Sequence, residues 1–232
     1  MTSHLDAVPS RPRGRAGRPL RWSGYGLIAA ALVVLGFALW QYVGSNWVAQ
    51  RKHADTVNAL EKAWVGEDAT AQTDDGVADA IIRIPRFGED YAVPVLEGTS
   101  DDVLASGFGH FTGTAGPGEV GNYALAAHRV THGEPLRDMP DLRAGDTVTV
   151  ETLDRIYTYA LVSDGDALVV PFTETWVIDD RPTNPDSSDI QPSLSTGRLL
   201  TLTTCSELFH TDDRMVAFAV LDKVKDKKAD QS

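Results

Sequence analysis

Cysteine is nearly missing from this chain: one thiol, Cys205, stands in 232 residues. No intramolecular disulfide can form, so the fold must rest on its core and its hydrogen bonds. Basic charge is scarce beyond residue 21. Five arginines (Arg11, Arg13, Arg15, Arg18 and Arg21) face one acid, Asp6, in that stretch, whereas the rest is acidic enough to bring the formal charge to −12. A surface of that sign argues against nucleic acid as the main partner, because phosphate binding needs a basic patch. The glycine-rich run Gly107 to Gly121 carries Gly116-Pro-Gly-Glu-Val-Gly121 in G-x-G-x-x-G spacing, but no Gly-Lys-Ser/Thr occurs and the run leads into a strand signal and not a helix, so it reads as turn chemistry and not as a phosphate cradle. Internal repeats are absent, and one long uncharged apolar run excludes a multi-span membrane protein. With 42% hydrophobic residues, the composition is that of a folded chain with accessory segments.

Residues 1–22 are rich in Arg, Pro and Gly and read as a basic cytoplasmic tail. The apolar run at 23–43 follows; a helix of about 20 residues rises roughly 30 Å, the thickness of a bilayer core. Trp22, Trp40, Tyr42 and Trp47 suit its two interfaces, and arginines on the N-terminal side only predict a single-pass anchor with its N-terminus in the cytoplasm. Aromatic residues stand where a signal peptide would carry small ones, which favours an uncleaved anchor. Over 44–79 we expect a juxtamembrane stalk, in which Trp47, Ala54, Val57, Leu60 and Trp64 recur at helical spacing, and then an acidic linker. The globular part is expected at 80–224, followed by a polar tail at 225–232. Its strand signals are Ile81–Phe87, Tyr91–Leu96, Tyr123–His128, Thr147–Thr152, Ile156–Ser163, Ala167–Val170, Thr175–Ile178, Leu199–Cys205 and Met215–Lys223. Short helical turns are expected at Ser100–Leu104 and Glu134–Leu142. So many short strands predict an all-β domain, a closed barrel or a sandwich.

Candidate chemistry centres on Thr201-Leu-Thr-Thr-Cys205, where a β-prone run ends in the thiol. Arg214 opens the next such run, so thiol and cation would face each other at strand ends. A fixed cation draws a thiol towards thiolate, the nucleophilic form. His128 ends another apolar run, Tyr123-Ala-Leu-Ala-Ala127, and can take and return a proton. Such a trio suits acyl transfer through a thioester, and whether water or an amine resolves that thioester separates a peptidase from a transpeptidase. A silent membrane-tethered barrel that binds wall peptides is the reading from another class; it has no need of all three groups.

The strand Thr201–Cys205 with Arg214 downstream, His128-Arg129 preceded by Gly121-Asn122, and Thr114–Gly121 together resemble a sortase, from about Ile81 to Leu221. Tyr123, the Thr131-His-Gly-Glu-Pro-Leu136 segment and Cys205–Arg214 resemble the class E housekeeping enzymes of high-GC Gram-positive bacteria. The resemblance implies a closed eight-stranded β-barrel with short helices and a surface transpeptidase without a cofactor. Such an enzyme cuts a sorting signal between Thr and Gly and joins the Thr carbonyl to a peptidoglycan-precursor amine. It also implies roles: Cys205 nucleophile, His128 general acid/base, Arg214 oxyanion or substrate-orienting residue, and Tyr123, Ala127 and Thr204 near the substrate. A tyrosine at the place of Tyr123 is associated with LAxTG over LPxTG. Two departures stand out, Ala127 where many relatives have Gly, and Ser206-Glu207 where His-Pro is commoner. The inhibitory Asp-Pro-aromatic lid of pilin-polymerising members is absent between Trp47 and Ile81. The pair His128/His132 lacks an evident third ligand for zinc. Asp164 with Asp166, or Asp179 with Asp180, are the acids that could hold calcium, though paired turn acids are usually just solvated.

Overall fold

The computed structural model describes residues 17–40, 44–185, 197–205 and 212–227. Most of the basic tail, the end of the 23–43 run, residues 206–211 with His210, and residues 228–232 of the polar tail lie outside the described residues. The chain divides into two units, Met1–Tyr42 and Val43–Ser232. The first holds helix α1, Gly17–Leu39, on which Leu27, Val33 and Val34 are exposed. Among the described residues no helix is long and apolar enough to cross a membrane.

The second unit opens with helix α2, Ser45–Val65, and continues as β1 Ala71–Thr73, β2 Gly76–Arg83, β3 Val93–Glu97, α3 Asp101–Leu104, β4 Phe108–His110 and β5 Gly121–Ala126. It ends with β6 Thr147–Glu151, β7 Arg155–Leu161, β8 Leu168–Pro171, β9 Arg198–Cys205 and β10 Asp213–Asp226. The strands run in the order β2-β3-β4-β5-β9-β10-β7-β6, and β6 returns to β2 through Ile81↔Glu151, Ile82↔Val150 and Arg83↔Thr149. Eight strands thus close a barrel, while β1 extends β2 and β8 pairs β10 outside the ring.

Strand parity explains why the inner strands read as nearly continuous apolar runs. Leu200 and Leu202 of β9 and Met215, Ala217 and Ala219 of β10 point into the barrel with Ile82, Val95 and Phe108. The residues between them are covered from outside as well. On one flank α2 lays Val57 and Leu60 on Ala78, Ile81 and Leu96. On another, Val177 of the 3-10 helix Thr175–Ile178 packs on Val216 and Phe218. Burying Leu60 completely is worth roughly 2–3 kcal/mol.

Four local differences from expectation have physical causes. Thr175–Ile178 is a 3-10 helix rather than a strand, because Trp176 and Val177 find packing on the barrel wall that outweighs β propensity. The glycine-rich run contains a strand, β4. A Cβ at Gly107 would lie 2.3 Å from the Pro94 carbonyl oxygen and one at Gly109 2.5 Å from that of Gly98, so these glycines mark close backbone approach within the sheet. The acidic 68–79 stretch carries β1 and the start of β2, with Asp74-Asp75 as the hairpin turn, and Ala80 falls in mid-strand. Finally, α2 is not a free stalk: Val57 and Leu60 are buried, whereas Ala54 and Trp47 face outward, Trp47 beneath the Arg51 guanidinium at 3.6 Å. Ser100–Leu104 does form a capped turn, with the Ser100 hydroxyl accepting from Val103 N.

Candidate active site

β9 ends at Cys205, and the antiparallel register sets Arg214 of β10 directly opposite it. On its other side Arg214 pairs with Val170 of β8. β5 runs parallel to β9 with Ala126 level with Thr203, and the ladder continues through Ala127 N donating to Thr203 O at 3.1 Å. Two further residues along the same register bring His128 level with Cys205. The alternation that points Leu125, Ala127, Leu202 and Met215 inward turns Cys205 and Arg214 to the outer face of adjacent strands, and His128 follows two residues beyond the end of β5. The Thr204 hydroxyl donates to Ala127 O at 2.8 Å and the Thr203 hydroxyl to Leu125 O at 3.2 Å, which pins β5 to β9 just before the trio.

Beyond β5, Leu136 N donates to His128 O at 3.0 Å and closes a loop that returns His132 onto His128, ring centroids 4.7 Å apart and 30° from parallel. Burial, followed by the charge of His132, lowers the His128 pKa to about 4. His128 is therefore neutral near pH 7 and able to accept the proton of the thiol.

A groove of about 270 Å³ leads to this corner. Ala126, Thr203 and Arg214 form its floor, and Leu104, Phe111, Phe172 and Ile178 are among its apolar walls. Buried Asn122 holds the wall formed by the 3-10 helix. Its Nδ2 donates to Val177 O and Asp179 O, both at 3.1 Å, while its Oδ1 accepts from the Thr201 hydroxyl at 2.7 Å. These apolar wall residues escaped the sequence reading, because they come from four separate segments and share no spacing. Asn122 could have been found as a lone amide inside an apolar strand.

The model for the sortase domain matches residues 82–222, which include His128, Cys205 and Arg214. The chain belongs to the sortase family. It is 32% identical over 232 residues to sortase E1 of Streptomyces coelicolor, covering 92% of this chain, and it spans only 62% of that relative's length. Sortase E2 of the same organism is 26% identical over 99% of this chain and 94% of its own. Among solved structures, sortase E from Streptomyces avermitilis is 35% identical over 68% of this chain and 95% of that one, with a TM-score of 0.57. Sortase E1 from S. coelicolor with a tripeptide in the active site is 29% identical over 68% and 96%, with a TM-score of 0.55.

In this sortase the residues expected near substrate divide by parity. Tyr123, Ala127 and Thr204 are buried, at 1%, 5% and 3% exposure, on the barrel side of the wall that carries the trio outside. Their neighbours Ala126 and Thr203 take the groove positions instead. Tyr123 packs against the His110 ring at 4.9 Å, and His110 is fixed by Glu97 at 2.7 Å and by Thr114 at 3.0 Å, so it is a structural residue of β4. Asp164 accepts from Ala144 N at 2.9 Å and caps a turn. Among the described residues no three or more His, Cys, Asp or Glu gather as a metal site.

Proposed function

We propose that this sortase is a cysteine transpeptidase that cleaves a LAxTG- or LPxTG-type sorting signal between Thr and Gly and joins the Thr carbonyl to an amine of a cell-wall precursor. The observation that carries the reading is the register that sets Arg214 opposite Cys205 and runs β5, which ends two residues before His128, alongside β9, with Arg214 lining an apolar groove. Attack begins as the Cys205 proton passes to neutral His128 and the sulfur bonds to the Thr carbonyl carbon. Arg214 with a backbone N–H faces the oxyanion. Collapse breaks the Thr–Gly C–N bond, and His128 gives its proton to the departing glycine amine. An acceptor amine then attacks the thioester, loses a proton to His128 and displaces the thiolate, which takes that proton back. The apolar walls suit the Leu and Ala or Pro side chains of the signal.

The reading extends to place. The five arginines up to Arg21 and the exposed apolar side chains of α1 beyond them support a single-pass plasma-membrane anchor with the N-terminus in the cytoplasm and the barrel outside. Secreted proteins that bear the sorting signal are then the donors. The test incubates the full chain with LAxTG and LPxTG peptides, with and without a small amine, and follows products by mass spectrometry. A Cys205-dependent ligated product is expected. Hydrolysis alone would favour a peptidase, and an alkylatable Cys205 without turnover would leave a silent binding barrel.

A further inference from the structure

The loop that presents His132 to His128 has a second anchor, and it lies on α2. Asn46 accepts from Gly133 N at 3.1 Å through its Oδ1 and donates to Glu134 Oε1 at 2.7 Å through its Nδ2. Arg137 holds Glu134 from the other side. The backbone between these contacts is strained: His132, Gly133 and Glu134 have φ of 53°, 82° and 53°. Among the described residues only one other non-glycine, Glu67, lies in the left-handed region. A non-glycine residue held there persists only where its surroundings over-determine it. Gly133 also sits where no larger residue fits, since a Cβ there would lie 2.6 Å from Cε1 of His53 on α2. Strain, close approach and a two-pronged amide therefore converge on the turn whose product is the His132–His128 stack.

We propose that Asn46 is a positioning residue for the catalytic imidazole, acting through the 129–136 loop and His132. The claim rests on the transpeptidase reading above. Asn46 touches none of the reacting groups. It holds the turn that puts one imidazole face against another, and the stack fixes the ring plane of His128 relative to Cys205. A helix that precedes the barrel is thereby part of what sets the rate.

The test uses the full chain with Asn46→Ala, His132→Ala, the double variant, and Lys52→Met as a control that breaks another α2 contact, the pair with Asp75. Transpeptidation kinetics should show kcat down about tenfold for Asn46→Ala with KM within about twofold, since only alignment is lost. The double variant should be no slower than His132→Ala, because both changes act along one path. Lys52→Met should lower Tm and leave kcat alone. An unchanged kcat for Asn46→Ala, effects that multiply in the double variant, or an equal kcat loss in Lys52→Met would overturn the proposal. Should the wild type not ligate at all, the transpeptidase reading fails by itself. The rate of Cys205 alkylation at neutral pH then decides: slowing in both Asn46→Ala and His128→Ala supports positioning, and an unchanged rate in Asn46→Ala overturns it.

Discussion

Arg214 lies between Cys205 on one strand and Val170 on another, so its guanidinium leaves the sheet at a position that the hydrogen-bond ladder fixes. A preorganised donor of this kind is worth most where charge develops. Arg214→Ala should therefore lower kcat about 10²–10³-fold while KM changes little. Arg214→Lys should recover only part of that loss, because a point charge cannot reproduce a planar fork of donors. A steady-state comparison of the two variants reads both effects, and a full recovery by lysine would show that charge alone matters. Asn122 poses the opposite case, a buried amide with three satisfied contacts and no part in the reaction. Asn122→Ala leaves the carbonyls of Val177 and Asp179 and the Thr201 hydroxyl to find other partners, at about 1–3 kcal/mol. Since the Val177 carbonyl belongs to the groove wall, the expected signature is a lower Tm together with a raised KM.

At the scale of an element, α2 carries a buried titration. His53 is 4% exposed and its Nε2 has no hydrogen-bond partner, and burial first, then the charges of Lys52 and His132, bring its pKa from 6.5 to about 4 despite a hydrogen bond to Ala105. Between those two values the unfolded chain binds a proton that the folded chain refuses. Stability is thus fully present above about pH 6.5 and is lost as pH falls towards 4, by an amount on the order of 3 kcal/mol for this residue. His128 titrates in the same window and adds to the loss. Urea unfolding at pH 7, 6, 5 and 4.5 should show the fall in the wild type and a visibly shallower one in His53→Leu, which keeps the His128 contribution. An unaltered slope would mean that His53 is not what acid attacks.

Taken as a whole molecule, the proposed trio is legible because each member stands at one end of a run with a clear period. Cys205 ends β9, Arg214 opens β10 and His128 follows the end of β5, and an antiparallel and a parallel pairing bring those strand ends alongside one another. The orientation of their neighbours was less legible. Tyr123, Ala127 and Thr204 are one residue away along the same strands, and a period of two sends them inside. The start of the globular unit was misread for a related reason. Acids such as Asp74 and Asp75 look like linker in one dimension, yet they turn a hairpin whose Asp75 meets Lys52 of α2 and accepts from Ser106 at 2.8 Å. This has a consequence for any shortened form. A chain beginning at Ala80 lacks α2, β1 and the first half of β2, so Ile81, Leu96 and Val103 lose the cover of Val57, Leu60, Ala71 and Ala78. Exposing those groups costs several kcal/mol at roughly 1.5–3 kcal/mol per large apolar side chain, a large share of the stability of an ordinary domain. A chain beginning at Val43 keeps all of them, together with Asn46 on the active-site loop. Denaturant titration should therefore give one cooperative transition for the Val43 form and a much lower midpoint, or none, for the Ala80 form. Equal midpoints would show that α2 rests on the barrel without supporting it.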